Sequence, residues 1–353
     1  MIELFDRRSM EARAIEKKEI GLYVCGKAAC GRARIEDARV YVFFDVVRRF
    51  FEYKKYRMNC VIGIDYADAD KRMPEESDPA GFIRDMDALG VKRAAKYPDV
   101  AENIDEIVKA VGSLIDNGYA YVTGNRVYFD SSRLNMLGDL LHQDVSGVPA
   151  IAQDMGGGGV ALDFPIWLGS DSDALGWDSP WGRGVPSGDI QYAVLAGKYL
   201  GEVDISGGGR DMIYPHNERA RMEYYALHGK ELSKAYVYVG LVTNGMNKAS
   251  RSGRKFVTIG DMLSNYSSDE IRYFFLSHAY KEDLECNEIG LGESMKRLDR
   301  ARKKLSESGV EKPNAFLSLL EDDMRIDESL RFLEEHGNRN MRFTAQRVLG
   351  IEF

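Results

Sequence analysis

The strongest constraint on what this chain can fold into lies in residues 20–64. Residues 20–25 read IGLYVC, a short apolar run of the kind that forms a strand buried on both faces. A glycine-punctuated turn follows, then VYVFFDVVRRFFEYKKY (40–56). Its Val42, Phe43, Val46, Val47, Phe50 and Phe51 recur at helical spacing, with Arg48, Arg49, Lys54 and Lys55 on the other side. MNCVIGI (58–64) reads as a second buried strand. A strand returned through a helix lies parallel to the first, so the unit is βαβ and the fold class α/β with a parallel sheet. At roughly 150 residues per domain, a chain of 353 residues is two domains, or one large α/β domain with an appendage.

Composition removes several classes of function. Lys and Arg number 48 against 56 Asp and Glu, so the formal charge is −8 and the pI about 5.4. Bulk positive charge therefore cannot hold this chain to nucleic acid, although a local basic patch still can. Four scattered cysteines (Cys25, Cys30, Cys60, Cys286) do not make a disulfide scaffold, and a reducing cytoplasm is the expected compartment. The N-terminus MIELFDRRSM has no apolar core of a signal peptide, and apolar runs such as Val40–Val47 are too short to span a membrane.

Further along, Asp65–Asp78 is polar and loop-like, and residues 101–117 form an amphipathic helix closed by Gly118. YAYV and NRVYFD predict a hairpin around Thr123–Gly124–Asn125. Residues 131–186, with GGGG at 156–159, read as a loop-rich insertion. Trp167, Trp177 and Trp181 argue that it packs and is not a disordered spacer. A helix over Ile190–Tyr199 and a strand over 202–206 come next. A strand over 235–242 follows, then helices over 261–278, 292–308, 313–322 and 326–335, so the last 85 or so residues are expected to be all-helical.

Two motifs carry chemistry. Gly207, Gly208 and Gly209 followed by Asp211 sit at the expected end of a strand. Glycines there let a ligand approach the backbone, and the Asp can hold a ribose hydroxyl; a tight strand-to-helix turn explains them equally well. Lys248-Ala249-Ser250-Arg251-Ser252-Gly253-Arg254-Lys255 places four cations and two hydroxyls in eight residues, which suits a triphosphate or RNA backbone; a solvated basic loop is the plainer alternative.

The stretches LYVCG (22–26), FFDVVRRF (43–50), GYAYV and VYFD (within 118–130), SPWGRGVP (179–186), ISGGGRDMIYPHNE (205–218), TNGMNKASRS (243–252) and DEIRYFFLS (269–277) follow in this order. In order and spacing the chain resembles the cysteinyl-tRNA synthetase family of class I aminoacyl-tRNA synthetases, over roughly residues 1–285. The resemblance implies a Rossmann-type, doubly wound catalytic domain (1–265) split by a connective insertion (about 85–186). An all-α stem-contact-like region (266–353) would follow, with no full anticodon-binding domain before Phe353. The family makes cysteinyl-adenylate from ATP and then charges tRNA.

Carried over by position, the family's HIGH tetrad falls on Arg34-Ile35-Glu36-Asp37. Its histidines stabilise charge developing at the α-phosphate. Here both are gone, Asp37 brings negative charge, and Arg34 is the candidate phosphate contact. Arg34, Glu36, Asp37 and Arg39 could instead form a salt-bridged network filling the phosphate pocket. Without any network, Glu36 and Asp37 simply face the positive end of a helix. KMSKS falls on Lys248–Ser252, so Lys248 and Arg251, with Arg34, are the candidate catalytic residues. The nucleotide-binding set is Arg34, Asp37, Gly207, Gly208, Gly209, Asp211, Lys248, Ser250 and Arg251. The family's four zinc ligands fall on Cys25, Tyr192, His216 and Ala220, and its Trp-His pair on Gly188 and Asp189. Two ligands do not make a tetrahedral zinc site, so zinc is not expected unless Cys30 joins Cys25 and His216. The expectation is a synthetase-like protein that binds ATP or another adenine nucleotide without efficient cysteine–tRNA ligation. The alternatives are a repurposed ATP-dependent ligase activating another amino acid, or a residual cysteine–tRNA ligase. The expected partners are a nucleotide and an amino acid, with tRNA or a protein partner further options.

Overall fold

The computed structural model describes residues 2–26, 32–63, 79–143, 162–170, 176–244 and 257–353. An antiparallel pair, β1 (Ile2–Asp6) and β2 (Glu11–Ile15), opens the chain. The βαβ unit follows as β3 (Glu19–Val24), α1 (Ile35–Tyr53) and β4 (Arg57–Ile62), with β3 and β4 parallel from Glu19–Arg57 to Val24–Ile62. α1 begins five residues before the apolar stripe at Val40 suggested. Its first turn carries Glu36 and Asp37 at the positive helix end, and Ile35 is buried.

The inserted region contains α2 (Pro79–Ala88), α3 (Ile104–Asp116), β5 (Ala120–Thr123), β6 (Arg126–Phe129), β7 (Phe164–Gly169) and β8 (Gly184–Pro186). Gly118 at φ +74° stops α3, and Gly124 at φ +64° turns the β5–β6 hairpin. The stretch expected to be loop-rich is partly sheet, because β7 and β8 extend the hairpin into an antiparallel sheet ordered β5-β6-β7-β8. Phe129, Phe164, Ile166 and Trp167 from that sheet bury against Ile107, Val111 and Leu114 of α3. Trp167 meets Trp181 edge-on at 5.7 Å, so these tryptophans do pack. Residues 156–159 and Asp65–Asp78 lie outside the described residues.

The chain then returns to the main sheet through α4 (Gly188–Leu200), β9 (Val203–Gly209), α5 (Glu218–His228) and β10 (Ser233–Val239). The parallel order is β10-β9-β3-β4. Period-two alternation sends Leu22 and Val24 into the core built on α1, and Tyr23 into the opposite core with Tyr192, Ala193 and Ala196 of α4. β9 does not end before its glycines, as the sequence suggested. It runs through Gly207, Gly208 and Gly209, which pair with Val237, Tyr238 and Val239. A Cβ on Gly207 would stand 2.2 Å from the ring tip of Phe44 in α1, so this glycine admits the helix, not a ligand.

After β10 come β11 (Val242–Asn244), α6 (Ile259–Leu263), α7 (Ser268–Leu276), β12 (Leu284–Cys286), α8 (Glu288–Ser306), α9 (Asn314–Glu321), α10 (Ile326–His336) and α11 (Arg339–Leu349). The single helix expected over 261–278 is two helices, each opened by its own capping box, Thr258 with Asp261 and Ser267 with Glu270. The C-terminal region is not purely helical, since β12 pairs in parallel with β11. Its helices share one core with α1. The Arg272 guanidinium of α7 donates to Asp45 of α1 (2.7 Å), to the Leu89 carbonyl (3.2 Å) and to the Leu349 carbonyl (2.7 Å), all out of water. No helix among the described residues is long and apolar enough to cross a membrane.

Candidate active site

In sequence order the main sheet is laid down as β3 then β4, and then β9 and β10 on the other side of β3. That reversal makes a crevice beyond the carboxyl ends of β3 and β9, where open α/β sheets bind ligands. Two adjoining cavities lie there and share Cys25, Gly26 and Met212.

The larger, about 180 Å³, is walled by Glu36, Asp37, Val40 and Tyr41 of α1, by Gly209 and Asp211, and by residues 240–243. Three of its lining side chains are therefore carboxylates. The Tyr41 hydroxyl is buried and has no hydrogen-bond partner among the described residues, and the same holds for one Glu36 oxygen. Burial, with the negative charges of Asp37 and Asp211 nearby, pushes the Tyr41 phenol well above its ordinary range, so it stays a protonated donor. Burial, with the charge of Glu36, likewise pushes the Cys286 thiol up to about 12.

Arg34 stands just before α1 with extended backbone (φ −89°, ψ 155°), bridges to Thr258, and is not among the described residues lining either cavity. Arg39 takes no part in a charge network with Glu36 and Asp37. Its guanidinium is buried and donates to the carbonyls of Glu282 (2.6 Å), Ala279 (2.8 Å) and Gly240 (3.3 Å). Gly207 and Gly208 are buried within β9, while Gly209 and Asp211 reach the cavity. Lys248, Ser250, Arg251 and Cys30 lie outside the described residues.

The smaller cavity, about 30 Å³, is lined by Tyr23, Cys25, Gly188, Asp189, Gln191, Tyr192 and His216, among others. Positions spread over 190 residues of sequence thus meet here. Tyr192 stacks on Tyr23 with centroids 4.5 Å apart and hydrogen-bonds Ser206. Ala220 packs in the same apolar cluster. His216 Nδ1 and Asp189 Oδ1 are 2.9 Å apart, and Arg219 approaches the other Asp189 oxygen at 3.8 Å. Behind them Glu223 is fully buried, and neither of its oxygens has a partner among the described residues. Burial and the Asp189 charge outweigh the pull of Arg219 and drive its pKa well up, which favours the protonated carboxyl. Sequence reasoning did not find Tyr41 or Glu223. A tyrosine in an apolar stripe and a glutamate in a mixed helix give no signal of burial against a cavity.

Of the family's four zinc-ligand positions, Cys25 and His216 keep ligating side chains and Tyr192 and Ala220 do not, and no group of three or more Cys, His, Asp or Glu side chains among the described residues is placed to hold a metal; Cys30 lies outside those residues.

The four-stranded parallel sheet, the antiparallel insertion and the C-terminal helices define a class I aminoacyl-tRNA synthetase catalytic architecture. Methionyl-tRNA synthetase of Mycobacterium tuberculosis, solved in complex with methionyl-adenylate, superposes with a TM-score of 0.65. It covers 93% of this chain and 84% of that one at 14% identity, a likeness of fold. The family described as tRNA synthetases class I (C) catalytic domain matches residues 11–296, and the chain belongs to it. It is 34% identical to the cysteine–tRNA ligase of Pyrococcus furiosus over 301 residues, and 31% identical to that of Geobacillus thermodenitrificans over 312. These alignments cover 81% and 84% of this chain but 63% and 66% of the two relatives, so the chain spans less than two thirds of their length.

Proposed function

We propose that this protein binds an adenine nucleotide in the larger cavity and is not an efficient cysteine–tRNA ligase. The observation that carries this reading is the placement of Glu36 and Asp37, in the first turn of α1, opposite Gly209 and Asp211. The crevice at the strand reversal, Gly209 at the end of β9 and family membership support nucleotide binding. The carboxylates argue against the adenylation step, because negative charge grows at the α-phosphate as the amino acid attacks. Two like charges about 4 Å apart repel by about 4 kcal/mol at an effective dielectric near 20. That is a rate penalty of about a thousandfold for each carboxylate so placed. At the smaller cavity Tyr192 and Ala220 stand at two of the family's four zinc-ligand positions, and no step is routed through a metal.

A second reading rests on the same smaller cavity. Its Asp189–His216 pair offers hydrogen bonds to a polar side chain in place of a thiol, which suits a ligase activating a different amino acid. ATP–pyrophosphate exchange, run with cysteine and then each other amino acid, separates these readings. Silence with all of them, together with measurable nucleotide binding, is the expected result. Exchange with cysteine would overturn the proposal, and exchange with one other amino acid would replace it with the second reading.

A further inference from the structure

We propose that the outer face of α11 docks a short acidic segment of a partner protein, with Phe343 as its apolar anchor and Arg339, Arg342 and Arg347 as the cations around it. The helix sends Met341, Thr344, Ala345, Val348 and Leu349 into the C-terminal core. At about 3.6 residues per turn, Arg339, Phe343 and Arg347 then follow one ridge of the opposite face, with Arg342 beside them. Phe343 is 71% exposed. Val310 is 93% exposed, and its loop is fixed to the first turn of α11. The Arg339 amide donates to the Glu307 carbonyl (2.9 Å) and the Asn340 side chain to the Gly309 carbonyl (2.8 Å). None of the three guanidiniums has a carboxylate or carbonyl partner among the described residues; Arg347 lies over the Tyr53 ring, 5.9 Å from its centroid. Elsewhere in the C-terminal region Arg302 is held by Asp269, Arg325 by Asp322 and Glu328, and Arg331 by Asp327.

Charge complementarity decides the occupant. Arg339 to Arg347 is eight residues of helix, or about 12 Å, so three cations without carboxylate partners crowd one short ridge of a chain whose formal charge is −8. An exposed aromatic ring among arginines is the composition of a binding interface, in which the ring supplies the anchor and the arginines the pairing with carboxylates. Carboxylates close both ends of the ridge, which limits the occupant's length. Exposed Glu307 and Glu311 lie in the loop fixed to the first turn, where the Asn338 side chain donates to the Glu311 carbonyl (3.2 Å). Glu352, also exposed, accepts from Gln346 near the last turn. An RNA strand running past the ridge would bring its phosphates against these carboxylates, and aliphatic Val310 offers a base no stacking face. A few acidic residues around one apolar side chain match the whole patch.

The test is fluorescence anisotropy of the full chain with two labelled probes. One is a peptide of about ten residues, Asp and Glu around one Leu and one Phe. The other is an oligouridylate of about ten nucleotides. The acidic peptide should bind, and its counterpart with Asn and Gln in place of the acids should bind about tenfold more weakly or worse. Raising salt should weaken the acidic peptide and not the neutral one. Arg339→Gln with Arg342→Gln should cost about tenfold, about threefold for each exposed pair lost. Phe343→Ser should cost about fivefold or more, as the loss of an aromatic anchor does. Lys109→Gln, an exposed cation on α3, should change nothing. The salt series and the neutral peptide need no variant, so a misfolded variant leaves the proposal open to refutation. Absence of peptide binding, or equal binding of the neutral peptide, would overturn it. Oligouridylate bound more tightly than the peptide would give the face to RNA instead. A dimer in sedimentation velocity that Phe343→Ser disperses would give it to a second copy of this chain, and either result overturns the proposal.

Discussion

Replacing Gly207 by alanine discriminates between two roles for the glycine run. If the glycines exist to let a ligand approach, the variant folds normally and loses binding. If Gly207 exists to let α1 lie close on β9, the variant loses stability whether or not a ligand is present. An added Cβ would stand 2.2 Å from Phe44 Cζ and 2.6 Å from each Cε, against an ordinary contact near 3.6 Å. The ring tip, or the helix carrying it, must move by about 1.4 Å, which is 3.6 less 2.2. Phe44 is buried and set edge-on to Phe43 at 5.0 Å, and Gly207 is held between Val24 and Val237, so neither side yields cheaply. Overpacking of this kind costs about 1–3 kcal/mol, and with both sides confined we expect about 3 kcal/mol. Urea unfolding followed by tryptophan fluorescence measures it. Phe44→Leu removes the ring tip at a cost of about 1 kcal/mol, and in that background the added methyl should be nearly free, a coupling of about 2 kcal/mol. A Gly207→Ala variant within about 0.5 kcal/mol of wild type, or additive costs in the double variant, would refute the packing argument.

Two more outcomes follow from buried charge. Glu218 is fully buried, and burial raises its carboxyl from 4.5 to about 7 although it accepts the amides of Leu140 and Leu141. An acid raised in the folded state keeps its proton there after the unfolded chain has lost it. Its contribution is therefore complete below pH 4.5 and declines as pH rises to about 7, by about 3 kcal/mol in all. Glu218→Gln should flatten the stability profile in that window, and parallel profiles for variant and wild type would contradict the argument. Arg272→Met removes the guanidinium that ties Asp45 to the carbonyls of Leu89 and Leu349. Asp45 keeps Arg49 at 2.7 Å, so the expected loss is about 3 kcal/mol, toward the lower end for broken buried pairs. A loss below about 1 kcal/mol by urea unfolding would mean the two orphaned carbonyls find water.

The βαβ unit was legible because its period changes from continuous apolar to 3.6 and back within 45 residues. The α3 helix and the β5–β6 hairpin were legible because Gly118 and Gly124 mark their ends. β7, β8 and β12 were not. Three to six residues carry too little periodicity to identify a strand, and what makes these into strands is a partner supplied from elsewhere in the chain. The end of β9 was misplaced for a related reason: glycine reads locally as a turn, yet here the neighbouring strands β3 and β10 hold it extended. The candidate site followed the same division. Asp37, Gly209 and Asp211 were found at one cavity and Cys25 and His216 at another, because motif order carries them.

By itself, then, the sequence determined the α/β class, the family and the altered charges at Glu36 and Asp37, all of which are local or order-dependent facts. Only the tertiary structure decided that Arg39 turns away from those carboxylates and that Gly207 answers to Phe44. It also decided that the Tyr41 hydroxyl and the Glu223 carboxyl are buried without partners among the described residues. Each of these depends on distance between residues far apart in the chain, and burial, the quantity that sets their protonation, does not exist until the core has closed around them.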